Sequence, residues 1–176
     1  SVRFATKPEL ARIMIGRALD EGLRPRWVLA DEVYGSDSKT RRFLESRDQP
    51  YVLAVTSQQR LWVDLEQRRV DRIAEQTPDD QWSRLTIAEG SKGPRVYDWA
   101  AGRLGVPTET GLVRWVLIRR HVKDPSDRAY YLCAAPPDAT AADLAIASGE
   151  RWSIETCFET AKQEVGLDEY EVRSWV

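Results

Sequence analysis

Between residues 151 and 162 the chain reads RWSIETCFETAK, which spaces Arg151, Glu155 and Lys162 at intervals of four and seven. A helix turns about 100° per residue, so with Arg151 at zero Glu155 falls near 40° and Lys162 near 20°. Two cations and a carboxylate therefore share one stripe. Ile154, Phe158, Ala161 and Val165 lie about a quarter-turn away and are expected to face a core, leaving the charged row at the border of a cleft. There the acid can hold a cation and its neighbours can bind phosphate oxygens. The plainer reading is a salt-bridged helix face, with Arg151 and Glu155 an i,i+4 pair worth about 0.3–0.5 kcal/mol.

A second acid, Asp31, ends the apolar run RWVLAD (26–31). That run reads as a buried strand, and open α/β sheets collect ligands beyond the carboxyl ends of their strands. Asp31 at such an end, opposite Glu155 on a packed helix, can share a divalent metal. Oxygen ligands suit Mg²⁺ or Mn²⁺, and two such ions ~3.5–4 Å apart clamp an in-line phosphoryl displacement. Against this, DEVYGSD is turn-rich, so Asp31 can equally be a turn-forming or helix-capping residue. Glu32 competes for the same role, but alternation points it away from its neighbour. His121 is the single histidine, which sets aside a Ser–His–Asp site and a multi-histidine zinc site.

The elements that must position these residues begin with TKPELARIMIGRALDEG. Thr6 and Glu9 form a capping-box pattern, Leu10, Ile13, Met14 and Ala18 follow at helical spacing, and Gly22 closes the helix. After the strand at 26–31, DSKTRRFLESRD (37–48) predicts a short helix capped by Ser36 or Asp37, and YVLAVT (51–56) a second buried strand. Helix, strand, helix and strand with short connections argue for an α/β layer with parallel strands. From 57 to about 136 the pattern turns β-rich, with its clearest strands at 112–121 and 129–135 forming a hairpin around KDPSD. Helix returns at TAADLAIAS (140–148), where Thr140 and Asp143 are again in capping register. Gly149 predicts a break or kink before a longer helix that runs to Gly166. The expected organisation is thus 1–56, a β-rich insertion 57–136, and helices 137–176.

These blocks resemble a known family. RWSIETCFETAK, spaced R-x3-E-x6-K, is similar to the Y-x2-R-x3-E-x6-K signature of DDE transposases from bacterial insertion sequences. WVLADEVYGSDSKTRRFLESRDQPYVLAV resembles the block around their second catalytic Asp, and RWSIETCFETAKQEVGLDEYEVRSW their C-terminal catalytic block. The resemblance implies an RNase H-like α/β fold with a β-rich insertion before the helix of the catalytic Glu. It implies Asp31 and Glu155 as catalytic, metal-binding acids and Arg151 and Lys162 beside the scissile DNA backbone. It also implies a two-metal Mg²⁺ or Mn²⁺ site, cleavage and strand transfer at transposon ends, a homodimer on DNA, and a bacterial cytoplasmic, nucleoid-associated setting. Two departures stand out. The signature Tyr falls at Ser148, and the first catalytic Asp belongs upstream of the first helix, where no Asp precedes Asp20. The expectation is a fragment that binds metal weakly and cleaves poorly or not at all. The alternative is a remnant that holds DNA or a full-length transposase without cutting. A glycosidase using Asp31 and Glu155 would need no metal and would survive EDTA.

The 176 residues suit one substantial core, and 42% hydrophobic with 31% charged residues is ordinary globular composition. Net charge is −2, so any DNA contact must be a local basic face. Candidates are Arg114, Arg119, Arg120 and Lys123 in VRWVLIRRHVK, and Lys92 and Arg95 in SKGPR. The competing reading is a solvated edge strand. Of the seven tryptophans, expected mainly in packing, Trp62 and Trp115 are the least certain. Cys133 and Cys157 have no metal-like spacing and are expected as free thiols. No apolar run approaches the ~20 residues of a membrane span, and the N-terminus lacks a signal-peptide core.

Overall fold

The computed structural model describes residues 4–63, 65–90, 93–105 and 107–165, of which 88–90, 152, 153, 155, 156 and 165 are described for their backbone only. Thr6 starts the first helix, α1 (Lys7–Asp20), its hydroxyl accepting from Glu9 N–H. A three-residue strand, β1 (Val28–Ala30), follows. A single-turn helix, α2 (Glu32–Gly35), leads into α3 (Ser38–Ser46), capped by Asp37, and β2 (Tyr51–Val55). β1 and β2 are parallel, as the short helical crossover requires.

The next stretch forms a hairpin of β3 (Arg60–Val63) and β4 (Glu66–Arg69), then helix α4 (Val70–Gln76) and a 3₁₀ turn (Asp79–Gln81). Four long strands follow: β5 (Ser83–Gly90), β6 (Gly93–Leu104), β7 (Val113–His121) and β8 (Arg128–Ala135). The expected hairpin around KDPSD is β7–β8. These four strands do not form a sheet of their own. β8 pairs antiparallel with β2, giving a six-stranded mixed sheet in the order β1-β2-β8-β7-β6-β5. The segment read as an insertion is therefore continuous with the sheet that carries Asp31.

Strand alternation gives the sheet two apolar faces. Val52, Trp99, Trp115, Leu117, Tyr131 and Cys133 point to one, where α5 (Ala141–Val165) packs through Leu144, Ala145 and Ala147. The other carries Leu53, Val55, Val116, Ile118 and Leu132 against α3, α4 and the β3–β4 hairpin. Such an α/β arrangement is compatible with an RNase H-like fold. Cys133 is buried and Cys157 exposed, both as free thiols.

Two expectations about helix α5 are corrected. Helix α5 runs through Gly149 without a break, because glycine there serves close packing: a Cβ would sit 3.1 Å from the carbonyl oxygen of Ile87 in β5. Beyond Arg151, Ile154 and Phe158 are 53% and 54% exposed instead of facing a core. On α1 it is Ile15 and Leu19 that turn inward, while Leu10, Ile13 and Met14 are exposed. The basic strand is corrected too. β7 lies between β6 and β8, so it is not an edge strand. No helix among the described residues is long and apolar enough to cross a membrane.

Candidate active site at the ends of the parallel strands

Asp31 follows the last residue of β1, where the register sets Ala30 beside Leu53 and so brings Asp31 to the carboxyl end of β2. Its Oδ1 accepts from the Val33 N–H at 3.0 Å and caps α2. The capping role and the strand-end position are thus both real. Gly35, four residues on, makes this turn possible. A Cβ there would come within 1.9 Å of the Ala54 carbonyl oxygen, so only glycine lets α2 lie this close to β2. Arg41 from α3 donates to the Gly35 carbonyl and fixes the turn from the other side.

The antiparallel pairing of β2 with β8 sets Val55 opposite Tyr130 and delivers the start of β8 to the same end. From the other face, α5 brings Arg151. Asp31, Glu32, Ser57, Arg128, Tyr130 and Arg151 consequently line one cleft of about 340 Å³, within the range of small ligand sites. Two acids and two guanidiniums, drawn from three separate stretches of chain, meet there. Arg128 is steadied by donating from Nε to the Pro125 carbonyl at 2.9 Å. Burial pushes the Tyr130 phenol above its ordinary value, with the nearby Arg128 charge opposing it. The phenol is therefore a neutral donor at physiological pH. Burial does the same to Tyr131, against the charges of Arg119 and Arg151.

Glu155 lies one turn beyond Arg151 on the backbone of α5, but its side chain falls outside the described residues. Lys162 is exposed and three turns, about 16 Å, past Arg151; it is not among the described residues that line the cleft. Ser148, in the slot of the signature Tyr, is buried and donates to the Ala145 carbonyl at 2.7 Å. Among the described residues no three His, Cys, Asp or Glu side chains cluster as a metal site.

The chain's first 77 residues carry a family signal. They match the model of the DDE superfamily endonuclease. The match spans α1 to α4 and includes Asp31, Glu32 and Ser57 of the cleft. Over these residues, less than half of the chain, the protein is similar to a DDE transposase-like nuclease family. Arg128, Arg151 and Glu155 lie beyond the matched residues. No curated protein matches the chain.

The remaining candidates are dispersed. Arg114 and Arg120 share one face of the sheet, where Arg114 pairs with Glu45 and Arg120 with Asp98 and Asp79. Arg119 is on the opposite face, 4.4 Å over the Tyr97 ring. Arg95 falls on that same face by alternation along β6. Lys123 sits exposed in the β7–β8 turn, and Lys92 lies outside the described residues. Strand alternation divides what looked like one basic patch. Arg128 was missed because nothing periodic marks it; the available signal was a cation opening a strand, two residues ahead of an aromatic.

Proposed function

We propose that the chain carries part of the catalytic centre of a DDE transposase of the insertion-sequence type, with an RNase H-like core, and acts on DNA phosphodiesters. The observation that carries this reading is the cleft shared by Asp31 and Arg151, 120 residues apart in sequence yet both at the carboxyl end of the parallel strands. Asp31 fits a divalent cation: it presents a carboxylate at the cleft, with one oxygen engaged in the α2 cap and no cation paired with it among the described residues. Asp31 and Glu155 would hold the ion, with Glu32 the nearest alternative donor. When bound, Mg²⁺ or Mn²⁺ supplies Lewis-acid activation of water and stabilises the leaving oxygen.

The chain's own residues do the rest. Arg128 and Arg151 place guanidiniums where the non-bridging oxygens of a phosphodiester would lie, giving charge-assisted hydrogen bonds that strengthen as charge develops. The Tyr130 phenol, kept protonated, is a further donor to a phosphate oxygen. Ser57 and the first turn of α2 bound the cleft from the sheet side.

Nicking of supercoiled DNA in Mg²⁺ or Mn²⁺ tests this. With the first acid of the family pattern absent, nicking by this chain should be weak; what there is should vanish in EDTA and in Asp31→Asn and Glu155→Gln, as the loss of several kcal/mol of charge stabilisation requires. Cleavage that survives EDTA, or either substitution, overturns the reading. DNA binding without cleavage would instead support a binding remnant.

A further inference from the structure

A second cleft, of about 410 Å³, opens on the sheet face away from α5, between α3 and the β3–β4 hairpin. Its floor is fixed. The buried carboxylate of Glu45 accepts from the Tyr51 hydroxyl at 2.8 Å and from Arg114 through Nε at 3.1 Å and Nη2 at 2.7 Å. Arg41, tied to the Gly35 carbonyl, adds a half-buried cation. Exposed Arg42 and Arg60 stand at the cleft with Trp62, whose indole is 66% exposed. Four guanidiniums thus face one carboxylate, in a chain whose net charge is −2.

Two further observations indicate a polyanion. Arg60 stands directly opposite Arg69 in the β3–β4 register, a like-charge pair that costs stability unless something neutralises it. Asp71 relieves Arg69; Arg42 and Arg60 have no acidic partner among the described residues. Arg60 also lines an adjoining cleft of about 470 Å³ with Glu66, Arg68, Arg69 and Arg72, where Arg68, Arg69 and Arg72 pair with Glu66, Asp71 and Glu75 and Arg60 is left to meet a phosphate.

Guanidiniums match phosphate in shape and charge, and an exposed indole offers its face to an unpaired base. A duplex has its bases already stacked and leaves the ring unused. We infer that this cleft binds single-stranded nucleic acid, with phosphates on Arg42 and Arg60 and a base on Trp62. The site is separate from the Asp31 cleft. Tyr51 lines one and Val55 the other, at opposite ends of β2, about 13 Å apart along the strand. It needs no metal, so it stands independently of the proposed catalytic reading.

The test is a titration of the chain in EDTA with labelled dT12, a duplex of equal length, dTMP and an oligoglutamate of equal charge. The dT12 strand should bind at least ~10-fold more tightly than the other three and quench indole fluorescence, since stacking and multiple phosphate contacts act together. Arg42→Ala with Arg60→Ala should lower the slope of log K against log salt by about 1.4, or 0.7 per lost contact. Trp62→Ala should weaken binding about 10-fold and abolish the quenching, with Trp62→Phe retaining most of the affinity. All three side chains are exposed, so the variants should keep the wild-type circular dichroism. Preference for duplex, or dTMP binding as tightly as dT12, overturns the inference. Equal affinity for oligoglutamate does so too, by reducing the site to charge alone. Loss of dT12 binding in Arg128→Ala but not in the Arg42/Arg60 variant would place the strand in the Asp31 cleft instead.

Discussion

One oxygen of Asp31 caps α2 while the carboxylate borders the cleft, and these two roles separate by substitution. Asparagine caps as well as aspartate, so Asp31→Asn should leave chemical-denaturation stability within ~0.5 kcal/mol of wild type while removing the charge a cation needs. Asp31→Ala loses the cap as well and should cost about 1 kcal/mol. If Asn and Ala destabilise alike, Asp31 does not cap α2. Gly35→Ala should do more damage than either. Its Cβ would meet a backbone carbonyl at 1.9 Å, and forced overpacking costs typically ~1–3 kcal/mol. A Gly35→Ala variant that melts with the wild type would contradict the close packing of α2 on β2. Asp31 was legible in sequence because an acid closing an apolar run is a local pattern. Arg128 was not, since its place depends on a pairing with β2 that joins residues more than 70 apart.

At the scale of elements, local signals served well where they act locally. The second capping box is formed, with Thr140 and Asp143 bonding each other's N–H at 3.0 and 3.2 Å; at the first, Thr6 caps the Glu9 N–H; and α3 starts at Asp37 as its sequence suggested. Helix α5 shows the limit. Its periodic residues Ile154 and Phe158 predicted burial, but periodicity says which side chains share a face and not whether anything covers it. Gly149 was read as a break or kink for a similar reason, since propensity is outweighed here by close approach to β5. Phe158→Ser accordingly should change stability by less than ~1 kcal/mol, where a buried Phe would cost several; a loss of ~3 kcal/mol would show that the face is covered. The single-turn α2 was too short for any period to mark, and the edge-strand alternative for β7 fails because a strand's neighbours are set by the sheet and not by its own residues.

The whole molecule depends on one mixed sheet, and three paired carboxylates brace it: Glu45 ties α3 to β7, Asp98 joins β6 to β5 and β7, and Asp37 joins α3 to α1. For Glu45 burial pushes the carboxyl up, but hydrogen bonds from Arg114 and Tyr51 outweigh it and hold it below its ordinary value. For Asp98 the Arg84 hydrogen bond leads, against burial, with Arg120 adding to it. At Asp37 burial is again outweighed, by Thr40, the Lys39 N–H and Arg12. Depressed carboxylates bind their protons more weakly folded than unfolded. They therefore stabilise the fold above the ordinary carboxylate range, and that contribution is lost as pH falls through it. Melting temperature should stay level from pH 7 to about 5 and drop below about pH 4. Glu45→Gln should flatten part of that drop and cost about 1–3 kcal/mol at pH 7. A profile that rises on acidification would contradict these pairings.

The sheet also decides the central claim, because only its topology brings Asp31 and α5 to one end. Broadening of backbone amide resonances by substoichiometric Mn²⁺ tests that claim most directly. Val33, Arg128 and Arg151 should broaden first, Mg²⁺ should reverse the effect, and Asp31→Asn and Glu155→Gln should each abolish it. Broadening centred elsewhere, or unchanged by both substitutions, would mean that Asp31 and Glu155 do not form a shared metal site.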